Sequence, residues 1–574
     1  MSQRHIGLIS ALALFVGLTI YQIDLPGLHY DEAFEVVPAM QLLYDQPVTT
    51  FRHNGVLLAG RLFPLMTQDY IGAINTYLAI PFLYLFGAST FSVRVMAVGI
   101  GLLTLWLIYD LGGELGGPLA GTLAALLLAV NPTFVFWSRQ GVFVTSVAAA
   151  IGLGATLAWL RWWRTGAKGY AIAGALLLGL GLYAKLLFLW LIAGLGLAAV
   201  VLTLACRRQV RPGQSGGTRP KARLPQQGVG WRLMAWCTLA FMVGAAPLIA
   251  YNVQTGGTLS SIGGNLTTSY YGTNNLALLP NLIERLNQFG VVLGGAHFWY
   301  LGGTYANWFS VVLFTAALVS TLLLAMGPAP DKACPALMPF LVIAGVILAS
   351  CATVSALWVT HFALVAPWPC LAVGTSAALL INHARFHWSQ RGVRTAVVLV
   401  LAVVAVSGAA DVATDVRYHR ALTVSGGLGA HSDAIDDMAH WLGDFTQLQD
   451  AETGDGETRD AVAMDWGISA PVTFLTHGQT TPIETFGYQW ETDADLTARL
   501  TRFLQNPGSI YLWRGPEEVI FDRSDEFKEL YRPLGLEEDI LEAFYERSGR
   551  PVLGVTRLVP QGTALNPVWQ MDGD

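Results

Sequence analysis

The sequence predicts a polytopic α-helical membrane protein with a small soluble α/β domain at its C-terminus, and three observations carry that prediction. Of 574 residues, 53% are hydrophobic and only 13% charged, against roughly 25% charged in soluble globular chains. Apolar runs of about 20 residues, the length that a hydrocarbon core of ~30 Å demands, recur as far as Asp411. Most of the acids behind the net charge of −6 come after Asp411, where the long apolar runs cease. The chain therefore divides into a membrane domain, 1–411, and an acidic domain, 412–574, expected to be soluble and extracytoplasmic.

The first apolar run, Ile6 to Ile20, has no small-x-small cleavage site behind it and is read as a retained helix. A polar first external loop, 24–91, follows. Within it Glu32 to Leu43 reads as a short helix with Asp31 as its N-cap and Pro38 in its interior, where proline weakens continuity. Asp31 and Glu35 are four apart and would share a face of that helix.

Hydropathy alone would make 71–87 a span. The positive-inside rule decides against it. With Met1 cytoplasmic, leaving 71–87 out of the count puts Arg161 to Lys168, Arg207 to Arg232, Arg385, Arg391 and Arg394 all inside. Counting it puts the first two groups outside. Segment 71–87 is thus expected to lie in the interface or dip in from outside. A flipped N-terminus would also restore the count, at the cost of moving the Asp31 loop into the cytoplasm. The remaining spans are expected near 92–111, 118–136, 142–161, 170–184 (short for a span), 186–206, 233–251, 308–326, 337–358, 361–381 and 395–411, about eleven with the first.

Arg207 to Arg232 mixes basic residues with Pro, Gly, Ser and Gln and reads as a cytoplasmic linker. The stretch 252–307, rich in Gly, Asn, Thr and Tyr, reads as an irregular loop folded over a membrane-level site. In the tail, Ser432 to Phe445 reads as an amphipathic helix, Ala461 to Met464 and Ser509 to Trp513 as strands, and Leu541 to Arg547 as a helix. The five cysteines (Cys206, Cys237, Cys334, Cys351, Cys370) all lie in or beside apolar runs, which excludes a disulfide-stapled tail and a cysteine metal site. No basic patch with interleaved aromatics points to nucleic acid.

Ionisable groups at membrane depth or at its outer rim are costly and are functional candidates by default. Asp31 and Glu32 follow the first span, Arg139 ends the span holding Asn131-Pro132, Lys185 sits between two apolar runs, and His361 opens a span with Pro367 and Pro369. All map to one side. Two acids facing an arginine, a lysine and a histidine suit a phosphorylated lipid: the cations hold phosphate while a carboxylate does base chemistry. The plainer readings are snorkelling for Arg139 and Lys185, packing for His361 and His297, helix capping for Asp31, and solvated charge for Arg52, His53 and Arg61. A divalent metal is compatible with such a site, although no His-x-x-x-His or Asp-x-Asp spacing supports one.

These elements together resemble the GT-C superfamily of polytopic glycosyltransferases, and more narrowly family 39, with its protein O-mannosyltransferases and lipid A aminoarabinose transferases. The resemblance runs over about the first 380 residues. It rests on the order of His29-Tyr30-Asp31-Glu32-Ala33-Phe34, Leu85-Phe86-Gly87 with Arg94, Asn131-Pro132 through Trp137-Ser138-Arg139, Gly181-Leu182-Tyr183-Ala184-Lys185, and His361 to Pro369. It implies a GT-C-type membrane domain with juxtamembrane helices in the first loop. It further implies inverting transfer of a sugar from a polyprenyl-phosphate carrier to a protein, lipid or glycan acceptor, outside a bacterial inner membrane. Asp31 would be the general base, Glu32 would orient acceptor or sugar, and Arg139 and Lys185 would neutralise the lipid phosphate, with His361 and Arg61 as further phosphate-side candidates. The pattern departs in two places: the second Asp after the arginine is missing from Gln140-Gly141-Val142-Phe143-Val144-Thr145, and Gln68-Asp69-Tyr70-Ile71-Gly72 stands where a Lys-Pro-Pro or His-Pro-Pro element would precede the juxtamembrane helix; Asp69 is the candidate to replace the missing acid. Two alternatives follow from the same residues, a transporter or flippase of lipid-linked sugars and an inactive relative that only binds them.

Overall fold

A computed structural model of the chain describes residues 5–140, 147–209, 230–327, 329–453, 460–485, 493–506 and 508–563. Helix is found within each of the eleven expected spans, although the one expected over 337–358 stops at Ala349 and the one expected from 361 begins at Pro367. The helices are α1 (Ile6–Ile20), α4 (Thr90–Gly116), α5 (Pro118–Ala129) with α6 (Pro132–Arg139), α7 (Ala148–Thr165), α8 (Lys168–Ala184) and α9 (Phe188–Gln209). Then follow α10 (Trp231–Gly244) with α11 (Ala246–Thr255), α14 (Phe309–Met326), α15 (Pro330–Ala349), α16 (Pro367–His387) and α17 (Gln390–Ser425).

By length and hydropathy among the described residues, α4, α9, α14 and α17 can each cross a bilayer. The pairs α5–α6 and α10–α11 are each apolar and long enough to cross when taken together, bent by 61° and 60° at the break between their helices. The chain is a multi-pass membrane protein. Prolines at Pro132 and Pro247 stand at the breaks, where they take the first turn of the second helix, a place in which the missing N–H costs nothing.

The first loop is mostly ordered structure. Helix α2 (Tyr30–Leu43) runs unbroken through Pro38. Short hairpins β1 (Val56–Leu58) with β2 (Arg61–Phe63), and β3 (Met66–Gln68) with β4 (Ile71–Gly72), follow it. Then comes α3 (Ile74–Phe86), whose 13 residues are about 20 Å of helix. Ala79 and Leu83 of α3 pack with Ala33, Val36 and Met40 of α2. Helix α3 is thus short for a crossing, and its packing on α2 fits the expectation that 71–87 lies at the interface. The basic turn after α7 lies at the far end of α4, where Arg161 and Arg164 pair with Asp110 and Glu114 at 3.0 and 2.5 Å.

Three expectations need correction. The 252–307 stretch is largely helical: α11 ends at Thr255, and α12 (Gly257–Gly264) and α13 (Leu278–Gly294) follow. In α13, Arg285, Phe289, Val292 and Leu293 form the buried face of an amphipathic helix. The helix forecast for Leu541 to Arg547 is instead the end of β8 (Leu536–Tyr545), because pairing with β9 (Pro551–Pro560) overrides local helix propensity. Position 411 is no break either, since α17 continues to Ser425 and ends at Gly426, which holds the left-handed conformation a helix terminus favours. The 207–232 linker falls mostly outside the described residues, as does the start of the expected 142–161 span.

The C-terminal domain is α/β. Helix α18 (Ala434–Thr453), β5 (Ala461–Ala463), α19 (Ser469–Leu475), β6 (Ile483–Glu484), α20 (Asp493–Leu504), β7 (Ile510–Arg514) and α21 (Ser524–Tyr531) precede the β8–β9 hairpin. The sheet order is β6-β5-β7-β9-β8, with β6, β5 and β7 parallel and the hairpin antiparallel. One face packs on α18 through Met438 and Leu442, the other on α20 and α21 through Leu500 and Phe527.

Candidate active site

The site forms where the start of α2, the turn between α8 and α9, and the segments around α13 meet. His29, not Asp31, is the N-cap of α2: its Nδ1 accepts from the Asp31 backbone N–H at 3.2 Å. That places Asp31 and Glu32 in the first turn, where negative charge is favoured by the helix dipole. Asp31 and Glu35 share one face and both act electrostatically on Lys185. Apart from His29 Nδ1 at 3.9 Å, the Asp31 carboxylate has no hydrogen-bond or ion-pair partner among the described residues, and its side chain remains 35% exposed. Desolvation raises its pKa to about 6, against the pull of Lys185 in the opposite direction.

Lys185 is held by backbone pairing. It is extended (φ −159°, ψ 131°) at the end of α8, bridges Ile71 of β4, and the next N–H, of Leu186, donates to Tyr70 O at 2.9 Å. The approach is close enough that a Cβ on Gly72 would lie 2.2 Å from Tyr183 O, so a larger residue there would push the strand away from the lysine. The Lys185 ammonium has no hydrogen bond or ion pair among the described residues, which leaves its donors free for a ligand. Burial lowers its pKa, while Glu35 and Asp31 raise it.

Glu35 is the second carboxylate of this face, a role the sequence reading gave to Asp69. Its Oε2 accepts from Asn75 Nδ2 of α3 at 2.5 Å, and burial raises its pKa to about 7. Asp69 is elsewhere engaged. Arg52 clasps both its oxygens at 2.9 Å, Tyr251 donates to Oδ1 at 2.5 Å, and Thr258 donates to its carbonyl at 2.6 Å. It ties the first loop to α11 and α12, with no carboxylate oxygen left to replace the missing acid.

Glu32 also differs from expectation. It points away from Asp31 into the protein, fully buried, with both oxygens on Arg94 at 3.1 and 3.2 Å. The remaining Arg94 donors go to Ile23 O, Pro26 O and Gly27 O at 2.8–3.2 Å. All five guanidinium N–H groups are used, and Glu32 has no lone pair facing the cleft. Arg139 is a helix-end ligand: it donates to the carbonyls of Thr19, Tyr21 and Gln22 at and just past the C-terminus of α1. Arg61 stays half exposed on the surface with Asp45 at 2.7 Å, because β2 turns it outward.

His361 lies on the cationic side. Arg285 donates toward its Nδ1 at 3.5 Å, and Nε2 faces Ser355 Oγ at 3.4 Å. Burial, Lys185 and Arg285 all hold its pKa well below the usual value, so it is neutral. Arg285 itself is buried between the rings of Trp190 and Phe362, at 5.4 and 5.5 Å. Tyr271 of the 265–277 segment lies near enough to feel the Asp31 charge and stands 6.1 Å from the ring of Trp358. Arg285 and Glu35 were missed in sequence; the apolar periodicity of α13 carried a signal for the first. Among the described residues no three His, Cys, Asp or Glu side chains gather as metal ligands.

The same architecture occurs in known structures. ArnT from Cupriavidus metallidurans superposes over 95% of this chain and 97% of its own, at 13% identity, with a TM-score of 0.57 when bound to undecaprenyl phosphate and 0.59 in the apo state. The chain has the GT-C fold. Residues 74–212 match the family model described as dolichyl-phosphate-mannose-protein mannosyltransferase. A weaker likeness links it to the Archaeoglobus fulgidus oligosaccharyltransferase, with a TM-score of 0.47, 13% identity, and coverage of 89% of this chain and 69% of that one. No curated protein sequence matches significantly.

Proposed function

We propose that the protein is a membrane glycosyltransferase that moves a sugar from a polyprenyl-phosphate carrier to an acceptor on the extracytoplasmic face. The observation that carries this reading is the pairing of an unpartnered carboxylate, Asp31, with an unpartnered ammonium, Lys185, inside a GT-C fold. The carboxylate of Asp31 takes the proton of the acceptor hydroxyl. The acceptor oxygen attacks the anomeric carbon from the opposite side as the bond to the lipid phosphate oxygen breaks, which inverts the configuration. Lys185 meets the departing phosphate, where electrostatic stabilisation contributes most. Arg285, through neutral His361, adds positive potential behind it. Glu35, on the same face of α2 as Asp31, adds its charge to the surroundings of Lys185, and Glu32 acts at one remove by fixing the start of α2 through Arg94.

A pKa near 6 makes Asp31 a stronger base than a solvated aspartate while leaving it ionised at neutral pH. The rate is expected to fall below pH 6 as that carboxylate protonates. Asp31→Asn should cut sugar transfer from undecaprenyl-phosphate-linked pentoses or hexoses by about 10²–10⁴-fold. Binding of undecaprenyl phosphate should persist. Wild-type turnover by folded Asp31→Asn would sink Asp31 as the base. Binding without turnover in the wild type would favour the transporter or inactive-relative readings.

A further inference from the structure

We propose that the C-terminal domain is a positioning element for Asp31, its sheet edge gripping residues 27–30 immediately before the base; the role assigned to that grip rests on the reading of Asp31 above. In open α/β sheets, ligands bind in the crevice beyond the carboxyl ends of the parallel strands. Here β5, β6 and β7 run into Trp466, Glu484 and Arg514, and what occupies the crevice is His29 and Tyr30 of the chain itself. Trp466 lies 4.8 Å from the Tyr30 ring and 5.8 Å from His29. Arg514 Nε donates to Trp466 O at 2.8 Å and fixes that indole, and Tyr30 hydrogen-bonds Glu484.

A second contact comes from the linker between α17 and α18. His431 stacks on His29 at 4.3 Å and 15°, and Tyr300 stacks on the other face of His431 at 3.9 Å and 16°. Backbones touch as well. Gly27 N donates to His431 O at 2.9 Å, and a Cβ on Gly27 would sit 2.1 Å from Ser432 O. Further along α2, Ala470 and Phe474 of α19 share a core with Ala33 and Met40, and Gln46 donates to His477 O at 2.8 Å. Helix α2 is thus held at its N-cap, along its side and past its end by one domain, while Asp31 and Glu35 face the opposite way. The crevice is a clamp, and His431 and Trp466 act on the base through His29.

The test uses full-length protein in lipid nanodiscs carrying His431→Leu or Trp466→Leu, which leave an apolar side chain without the flat ring, with Trp466→Phe as the conservative variant. Amide exchange over residues 31–34 should speed up by about tenfold or more in the leucine variants and return toward wild type in Trp466→Phe. Affinity for undecaprenyl phosphate should stay within about twofold, because Lys185 is untouched. Turnover of undecaprenyl-phosphate-linked sugars should fall by about 10–100-fold in kcat with donor KM unchanged. Unchanged exchange in folded leucine variants, or a raised KM at constant kcat, would overturn the clamp. Retained turnover in Asp31→Asn sinks the base and not the clamp, since the exchange rates do not depend on chemistry.

Discussion

Removing the negative charge at Glu32 tests whether that residue meets substrate or fixes the helix that carries Asp31. Glu32 and Arg94 are both fully buried, and the guanidinium spends two donors on the carboxylate and three on the carbonyls of Ile23, Pro26 and Gly27. In Glu32→Gln the amide oxygen can still accept from Nη2, but its NH₂ then faces the Nε–H, so one charge-assisted bond becomes a donor–donor contact. The arginine keeps its charge in a buried place with no anion beside it. Breaking a buried pair in this way costs about 3–5 kcal/mol, a large share of the ~5–15 kcal/mol that typically holds a domain together. Arg94→Met should cost more, because three backbone carbonyls also lose their donor at about 1–3 kcal/mol each where they stay buried. Thermal unfolding of purified protein in nanodiscs, read by intrinsic fluorescence, should rank wild type above Glu32→Gln above Arg94→Met. Donor KM of the folded Glu32→Gln fraction should stay within about twofold, since that side chain lines no part of the cleft. Full thermal stability in Glu32→Gln together with a collapse in turnover would refute the reasoning and return Glu32 to the substrate.

Two further outcomes follow from the same geometry. Lys185→Met should weaken undecaprenyl phosphate binding by about 10–100-fold, as expected for loss of a charge-assisted contact of ~1.5–3 kcal/mol, with Lys185→Arg intermediate; titration by microscale thermophoresis checks both. Glu35 is raised from 4.5 to about 7 by burial, so the folded state binds its proton more tightly than the unfolded chain does. Its contribution to stability is therefore present below pH 4.5 and is lost as pH rises toward 7. Glu35→Gln should flatten that part of the stability–pH curve, and melting curves from pH 4.5 to 8 would show it.

The membrane helices were legible because the bilayer imposes a length and an apolar composition on every crossing, and both are written locally in the chain. Exclusion of 71–87 came from counting lysines and arginines, a property of the whole chain that no window around Ile74 contains. Sequence placed Asp31 and Lys185 on one side, yet could not place Glu32. Adjacent carboxylates look alike in a sequence, and which one turns inward depends on Arg94, 62 residues away. The engagement of Asp69 was hidden for the same reason: its partners Arg52, Tyr251 and Thr258 come from the first loop and from α11 and α12. Glu35 was visible as the residue one turn beyond Asp31, but only Asn75 and Lys185 show what that face meets. Leu541 to Arg547 misled because a strand at the edge of a sheet draws its conformation from its neighbour.

The 36 residues of α17 form a rod of about 54 Å, longer than the ~30 Å of hydrocarbon it must cross. A helix that leaves the bilayer without interruption behaves as a stiff shaft where a flexible linker would act as a universal joint. Lipid-facing residues such as Val398 and Val406 lie along its outer part, and Tyr418, His419 and Leu422 lie in its packed inner part. A rigid tilt of α17 would carry its last turns with it as far as the glycine pair Gly426 and Gly427, whose left-handed conformations end the helix and turn the chain into the C-terminal domain.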